Sequence, residues 1–494
     1  MCSPSSGSQR FSHLRRNLVA KIPIFAGRFK RPVYILHIDM KKLHLLLSAA
    51  LVALCAMNAS AAETAQKAEP KNNIKLYGFI RNYLIFDSRE SVSGTGDLFY
   101  YLPKDVKMNE AGTQDLNAAS SFRFLALTSR LGVDVTGYSI ENVHFGAKIE
   151  ADFYSGLGSA SDVKGYFPSN TKISGTAAMR LRQAYATVTW KELGDEGKNS
   201  LALKMGQAWH PMGADFPHVF SLEIGAPFGP FSRTPLVQAD YNLGKNWTLT
   251  GAALTQMQYN SQGPVGASPL YMKYGMTPEI YAGLTYKSNG FLVRGGVDVL
   301  SIKPRYYGLA TVNGVESTVR VADRKTSVLG FVFTQYTKDK FSVRAKSTFG
   351  QGGEHMNLMT GYAKIGENPD GSWEYASLRN TSSWLSLSYG KKWQGVFFLG
   401  YMKNLGLAEA ASAPLAKADV YFCGNGFSNI NQIYRINPQL IYNIGKMNLG
   451  VEYQYTAVQY GEYDGGKLNE YALAVNGLHW VGNHRVNMMI KYNF

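Results

Sequence analysis

Three groups of residues have types and spacings that could do chemistry. The stretch "GEYDGGKL" (461–468) has the G-x-x-x-x-G-K spacing of a phosphate-cradling loop. Leu468 stands where a Ser or Thr would ligate Mg²⁺, and no strand-loop-helix pattern surrounds it, so a polar surface turn is expected. His210, His218 and Glu223 offer metal-ligand side chains within one stretch. Their spacing follows neither a helix nor a hairpin, so loop packing and lining are expected. Ser, His and Asp for a hydrolase are present, but none has a distinguishing context. Of the three cysteines, Cys2 and Cys55 fall in the first 61 residues and Cys423 stands alone. No disulfide framework or Cys-based metal site follows. The expectation is a chain that is not an enzyme and has no metal or cofactor.

The remaining chemistry is charge set at alternate positions along strands. In "NVHFGAKIEADF" (142–153), Val143, Phe145, Ala147, Ile149, Ala151 and Phe153 share one face. His144, Lys148, Glu150 and Asp152 share the other. Period-2 alternation of this kind makes a strand with one apolar and one polar face. "MNLGVEYQYTAV" (447–458), "FSVRAKSTF" (341–349), "FLVRGGVDV" (291–299) and "EIYAGLTYK" (279–287) repeat it.

The elements that position these charges are many and short. The chain has 494 residues, 50 Gly, 31 Tyr and 25 Phe, and is only 17% charged, against about 25% for ordinary globular chains. Strands are expected near 74–87, 120–135, 142–153, 178–190, 199–208, 234–242, 247–257, 279–287, 291–301, 326–337, 341–350, 382–390, 395–404, 431–443, 447–458 and 485–494. Tight connections (136–141, 242–245, 287–290, 338–340, 444–446) alternate with long polar ones (88–119, 154–177, 209–233, 258–278, 303–325, 351–381, 405–430). Loops beyond about 12–15 residues are rare in compact soluble domains. Short turns on one side and long loops on the other mark a transmembrane β-barrel. The predicted fold is therefore all-β, a transmembrane antiparallel barrel of about sixteen strands over 74–494. A further alternating segment at 469–478 leaves eighteen open; an even count assigns 459–484 to a long last loop that can hold its own hairpin.

The ends agree with export. Lys41-Lys42, an apolar run of about 15 residues and Ala59-Ser60-Ala61 make a secretory signal over 40–61. The run falls short of the roughly 20 residues a spanning helix needs. Residues 1–39 then form an upstream leader or a mis-assigned start, and 62–73 a short periplasmic segment. Removing 1–61 takes away nine Lys/Arg and one Asp, which lowers the net charge from +16 to +8. That charge is too diffuse for nucleic acid. At the C-terminus, Val486, Met488, Ile490, Tyr492 and Phe494 share one parity, and Arg485, Asn487, Lys491 and Asn493 the other, with Met489 the exception.

This closing strand resembles the C-terminal signature of bacterial outer-membrane barrels. The resemblance implies that these five residues are an assembly signal read by the barrel-assembly machinery. "SRLGVDV" (129–135), "AKIEADF" (147–153), "RLRQAYATV" (180–188) and "LKMGQAWHPM" (203–212) resemble the first five strands of trimeric porins, the DcaP-like porins in particular. The resemblance covers about residues 74–240 by motif. It implies a homotrimer in the lipid of a Gram-negative outer membrane and an inward-folded constriction loop at 209–233, with His210, Asp215, His218 and Glu223 on it.

If the apolar parity faces lipid, the other lines a pore. That face carries Arg130, Lys148, Arg180, Arg182, Lys204, Arg294, Arg344, Lys346 and Arg435 against Glu150, Asp152, Asp298 and Glu452. Arg485 and Lys491 are further candidates. A basic wall lowers the barrier for anions. The predicted function is passive diffusion of small hydrophilic solutes, with a preference for anions. An adhesin or structural barrel and an outer-membrane hydrolase are the alternatives.

Overall fold

The computed structural model describes residues 72–94, 99–126, 128–154, 177–423 and 428–494. The expected leader (1–39), signal (40–61) and nearly all of the segment 62–73 lie outside the described residues. Sixteen strands close on themselves: β1 Asn73–Asp87, β2 in two pieces (Ser121–Leu125 and Arg130–Thr136), β3 Val143–Tyr154, β4 Ala178–Leu193, β5 Asn199–Trp209, β6 Arg233–Leu243, β7 Trp247–Leu254 and β8 Glu279–Ser288. There follow β9 Phe291–Ile302, β10 Lys325–Lys338, β11 Phe341–Gln351, β12 Trp373–Gly390, β13 Trp393–Leu407, β14 Ile430–Ile444, β15 Met447–Glu462 and β16 Asn476–Asn493. Each pairs antiparallel with its neighbours in sequence, and β1 pairs with β16 from Phe79↔Asn493 to Asp87↔Arg485. Lipid offers no hydrogen bonds, so only such closure satisfies both edges.

The count is sixteen. Residues 469–475 carry no strand, and β15 and β16 run on beyond the expected ends, pairing as far as Glu462↔Asn476. Gly477, Gly482 and Asn483 dilute the alternation of this extension, although Leu478 and Trp480 still point outward. β12 likewise begins at Trp373, earlier than expected, and its first part pairs with a loop strand, Gly361–Glu367. These strands reach 16 to 18 residues. A bilayer needs only about 9–11, so their ends project beyond it.

Local chemistry accounts for the joints. The β8–β9 turn places Asn289 (φ 46°) and Gly290 (φ 80°) in the left-handed region, the conformation that Asn-Gly favours in two-residue hairpins. Between the two pieces of β2 the Ser129 hydroxyl accepts the Arg81 backbone N–H at 3.1 Å. At the seam, Phe494 N–H donates to Gly78 O at 3.1 Å. A Cβ on Gly78 would stand 2.5 Å from the Phe494 ring and 2.4 Å from Arg130 O. Only glycine lets the final aromatic lie across the first strand.

The parity of the closing strand is resolved. Ile490 is 52% exposed, whereas Met489 is 4% exposed and joins the interior core. Ile74, Leu76, Ile80, Ile149, Leu249, Val332, Leu440 and Val451 are exposed in the same outward sense. Near the short turns, Trp247, Phe291, Phe341, Tyr389, Trp393, Tyr492 and Phe494 are exposed aromatics. The Trp247 ring lies tilted against Tyr286 (4.7 Å between centres) and Trp393 against Tyr442 (4.3 Å). An apolar outer band edged by aromatics is what a barrel in lipid requires.

Candidate pore and its inner loop

β5 and β6 are joined by residues 210–232, most of them buried. The segment is tied to the inward parity of distant strands. Near its start, Lys346 on β11 donates to Met212 O, and Arg294 on β9 meets Asp215 at 2.7 Å. Arg344 on β11 donates to Phe216 O at 3.0 Å. The His218 N–H donates to Ser386 Oγ on β12, and its ring lies 3.3 Å from Ser342 Oγ. Phe220 N–H donates to Gln439 on β14, while Tyr83 on β1 donates to Phe220 O. Glu223 accepts from Arg485 on β16 (3.1 Å) and faces Arg435 on β14 (3.7 Å). On the return path Arg435 donates to Ala226 O, and Phe228 packs over Gly400 on β13. The loop therefore lies within the barrel, held by strands β9, β11 to β14, β16 and β1.

His218 belongs to the loop rather than to the wall. Burial, with the Arg344 guanidinium beside it, pushes its pKa down to about 4. It is neutral at pH 7.

The arc from β2 to β4 is charged in a different manner. Arg180 forks onto both oxygens of Asp152 at 2.9 Å. Arg182 bridges Glu150 (2.8 Å) and Asp152 (2.6 Å). Arg130 lies 3.6 Å from Glu150, and Lys148 pairs with Asp134 at 2.7 Å. Further round, a polar cavity of about 460 Å³ is lined by Lys204, Gln238, Asp240, Thr250, Thr285 and Arg294.

Among solved structures, the chain is similar to the outer-membrane channel DcaP of Acinetobacter baumannii. Identity is 18% and the TM-score 0.56, over 88% of this chain and 100% of that one. The chain has the outer-membrane porin fold. A sixteen-strand closed barrel with an outward apolar band is an outer-membrane protein of Gram-negative bacteria. More distant alignments include the anion-selective porin from Comamonas acidovorans (10% identity, TM-score 0.47, 86% of this chain and 100% of that one). Another is OmpT of Vibrio cholerae (11%, 0.44, 88% and 100%). No family model and no curated protein matches the chain.

Within this porin fold, the expected wall residues divide by partner. Arg130, Lys148, Glu150, Asp152, Arg180 and Arg182 form the paired arc. Arg294, Arg344, Lys346 and Arg435 hold the loop, and Lys204 lies over the Tyr185 ring at 5.5 Å. Glu452 is buried on β15, and neither carboxylate oxygen has a partner within 3.5 Å among the described residues. Of the loop residues, Asp215 and Glu223 meet wall arginines. His210 does not gather with His218 and Glu223; it joins Glu279, Asp298 and His355.

Sequence reasoning passed over Arg81, Asp87, Arg233, Glu279 and Lys325, all of which carry inward contacts. Asp87 and Lys325 stand at the ends of strands, where alternation gives no parity to read. Arg233 follows a loop, and its guanidinium lies 4.9 Å from the Trp209 ring.

Proposed function

We propose that this barrel is a passive diffusion pore for small hydrophilic solutes, that its lumen favours anions, and that it works as a homotrimer. The observation that carries the anion preference is a knot of three cations round one ring. Arg81 lies 4.9 Å, Arg130 5.0 Å and Lys491 4.6 Å from the centre of Phe79. Of the three, Arg130 alone has a carboxylate within ion-pair reach among the described residues, and that contact is a long one of 3.6 Å. Concentrated like charge raises the local density of counter-ions and so biases permeation.

The tethered inner loop supports a pore of fixed shape. The name of the similar protein from C. acidovorans describes it as anion-selective, and a V. cholerae structure is described as a trimer form; both properties are proposals for this chain. The barrel-assembly machinery is the proposed reader of the strand that ends in Phe494.

Single-channel recording in planar bilayers tests the reading. Steps closing in threes are expected, with a reversal potential across a KCl gradient that shows chloride favoured. Neutralising Arg81 and Lys491 together should reduce that preference. A chain that gives no conductance, or prefers potassium, refutes it.

A further inference from the structure

His210, Glu279, Asp298 and His355 come from four separate elements. His210 follows β5, Glu279 opens β8, Asp298 sits on β9, and His355 lies in the 3₁₀ turn Glu354–Met356. One ligand atom from each lies within 4.8 Å of the others. All four are buried, with 1% to 3% exposure. His355 Nε2 is 2.7 Å and His210 Nε2 3.2 Å from Glu279 Oε1; His210 Nε2 is 3.7 Å from Asp298 Oδ1.

Several atoms here have no hydrogen-bond partner among the described residues: Glu279 Oε2, Asp298 Oδ1, His355 Nδ1 and both oxygens of the adjoining Glu354. A fixed cation adjoins the cluster: Lys325 Nζ is 3.7 Å from Glu354. Glu279, Asp298 and Glu354 thus place three buried carboxyl groups beside one ammonium, an arrangement that must take up protons or a cation. Buried charge without a partner is costly enough that a site normally supplies one.

We propose that this cluster binds one divalent transition-metal ion, with zinc the best match to its donors. Mixed imidazole and carboxylate donors suit zinc, whereas calcium and magnesium prefer all-oxygen shells. Donors at about 2.0–2.2 Å from a tetrahedral zinc stand roughly 3.3–3.6 Å apart. The 3.2 Å and 3.7 Å separations are close to that; the 2.7 Å contact must open by less than about 1 Å.

The ion has a mechanical consequence. His210 Nδ1 now accepts the Met212 N–H at 3.2 Å, so Nε2 carries the proton. Ligation through Nε2 moves that proton to Nδ1 and breaks the Met212 bond. Metal binding is thereby coupled to the first turn of the inner loop, Pro211–Gly213, and fastens the loop's root to β8 and β9.

The test uses the untagged full chain in detergent, stripped with chelator and then equilibrated with zinc chloride. One zinc per chain should remain after gel filtration, and the unfolding temperature should rise. Asp298→Asn and His355→Gln should each bind at least about tenfold more weakly. Semi-native gels check that each variant is a folded barrel, and His479→Gln, on a different part of the wall, should bind as the parent does. Two outcomes overturn the proposal. If the parent retains no zinc, the carboxylates are held by a shared proton instead. If Asp298→Asn and His355→Gln, folded, retain as much as the parent, the ion sits elsewhere.

Discussion

On β3 and β4 the inward charges meet one another; on β8, β9, β11 and β14 they meet the loop. Arg180 and Arg182 spend their N–H groups on Asp152 and Glu150. Arg344, Lys346 and Arg435 spend theirs on the carbonyls of Phe216, Met212 and Ala226. Both arcs follow the same alternation. The first is a ladder that neutralises itself. The second uses charge as fastening, and its acidic members Glu279 and Asp298 keep unpaired oxygens. Strand parity therefore tells which way a charge points, and its neighbours decide what the charge does.

The contrast is sharpest at Arg182, which alone bridges both carboxylates of the ladder. Arg182→Met should lower unfolding stability in detergent by about 3 kcal/mol, the low end for breaking a buried pair, because Glu150 keeps hydrogen bonds from Tyr77 and Gln183 and Arg130 at 3.6 Å. An unchanged urea midpoint would show that the ladder is solvated and contributes little.

Paired substitutions compare the arcs directly. Asp152→Asn should cost about 2 kcal/mol, since it gives up charge-assisted bonds to two arginines. Asp298→Asn in zinc-free protein should cost under about 1 kcal/mol, because it relieves two adjoining carboxylates. Equal losses would erase the distinction. Lys346→Met should cost about 1–2 kcal/mol for an orphaned Met212 carbonyl, seen also as noisier single-channel current. A quiet channel would mean that the remaining ties hold the loop unaided.

A further contrast is acid sensitivity at His218. Its pKa lies at about 4 in the folded chain, against about 6.5 when unfolded. Between those values the unfolded chain binds more protons, so stability falls as pH drops through this window and is constant above it. His218→Gln should flatten that slope between pH 7 and pH 4. An unaltered slope would assign the acid response to other groups.

Legibility in the sequence tracked local pattern. All sixteen strands were recoverable because a membrane wall forces alternation over every crossing, with little tolerance for exceptions in lipid. Their outer ends at Trp373 and Asn476 were not, because beyond the bilayer nothing enforces an apolar face. The inward parity of Arg180, Arg182, Glu150 and Asp152 was visible for the same reason.

By itself, then, the sequence determined a barrel of alternating strands, its short and long connections, its closing strand on Phe494 and a set of inward charges. Each of these follows from neighbours within one strand or one turn. Tertiary structure alone decided which charge meets which. Arg435 finds Ala226 across 209 residues, and His210 meets His355 across 145. Such pairings depend on curvature and on the path of the loop through the interior, and no period in the chain encodes either.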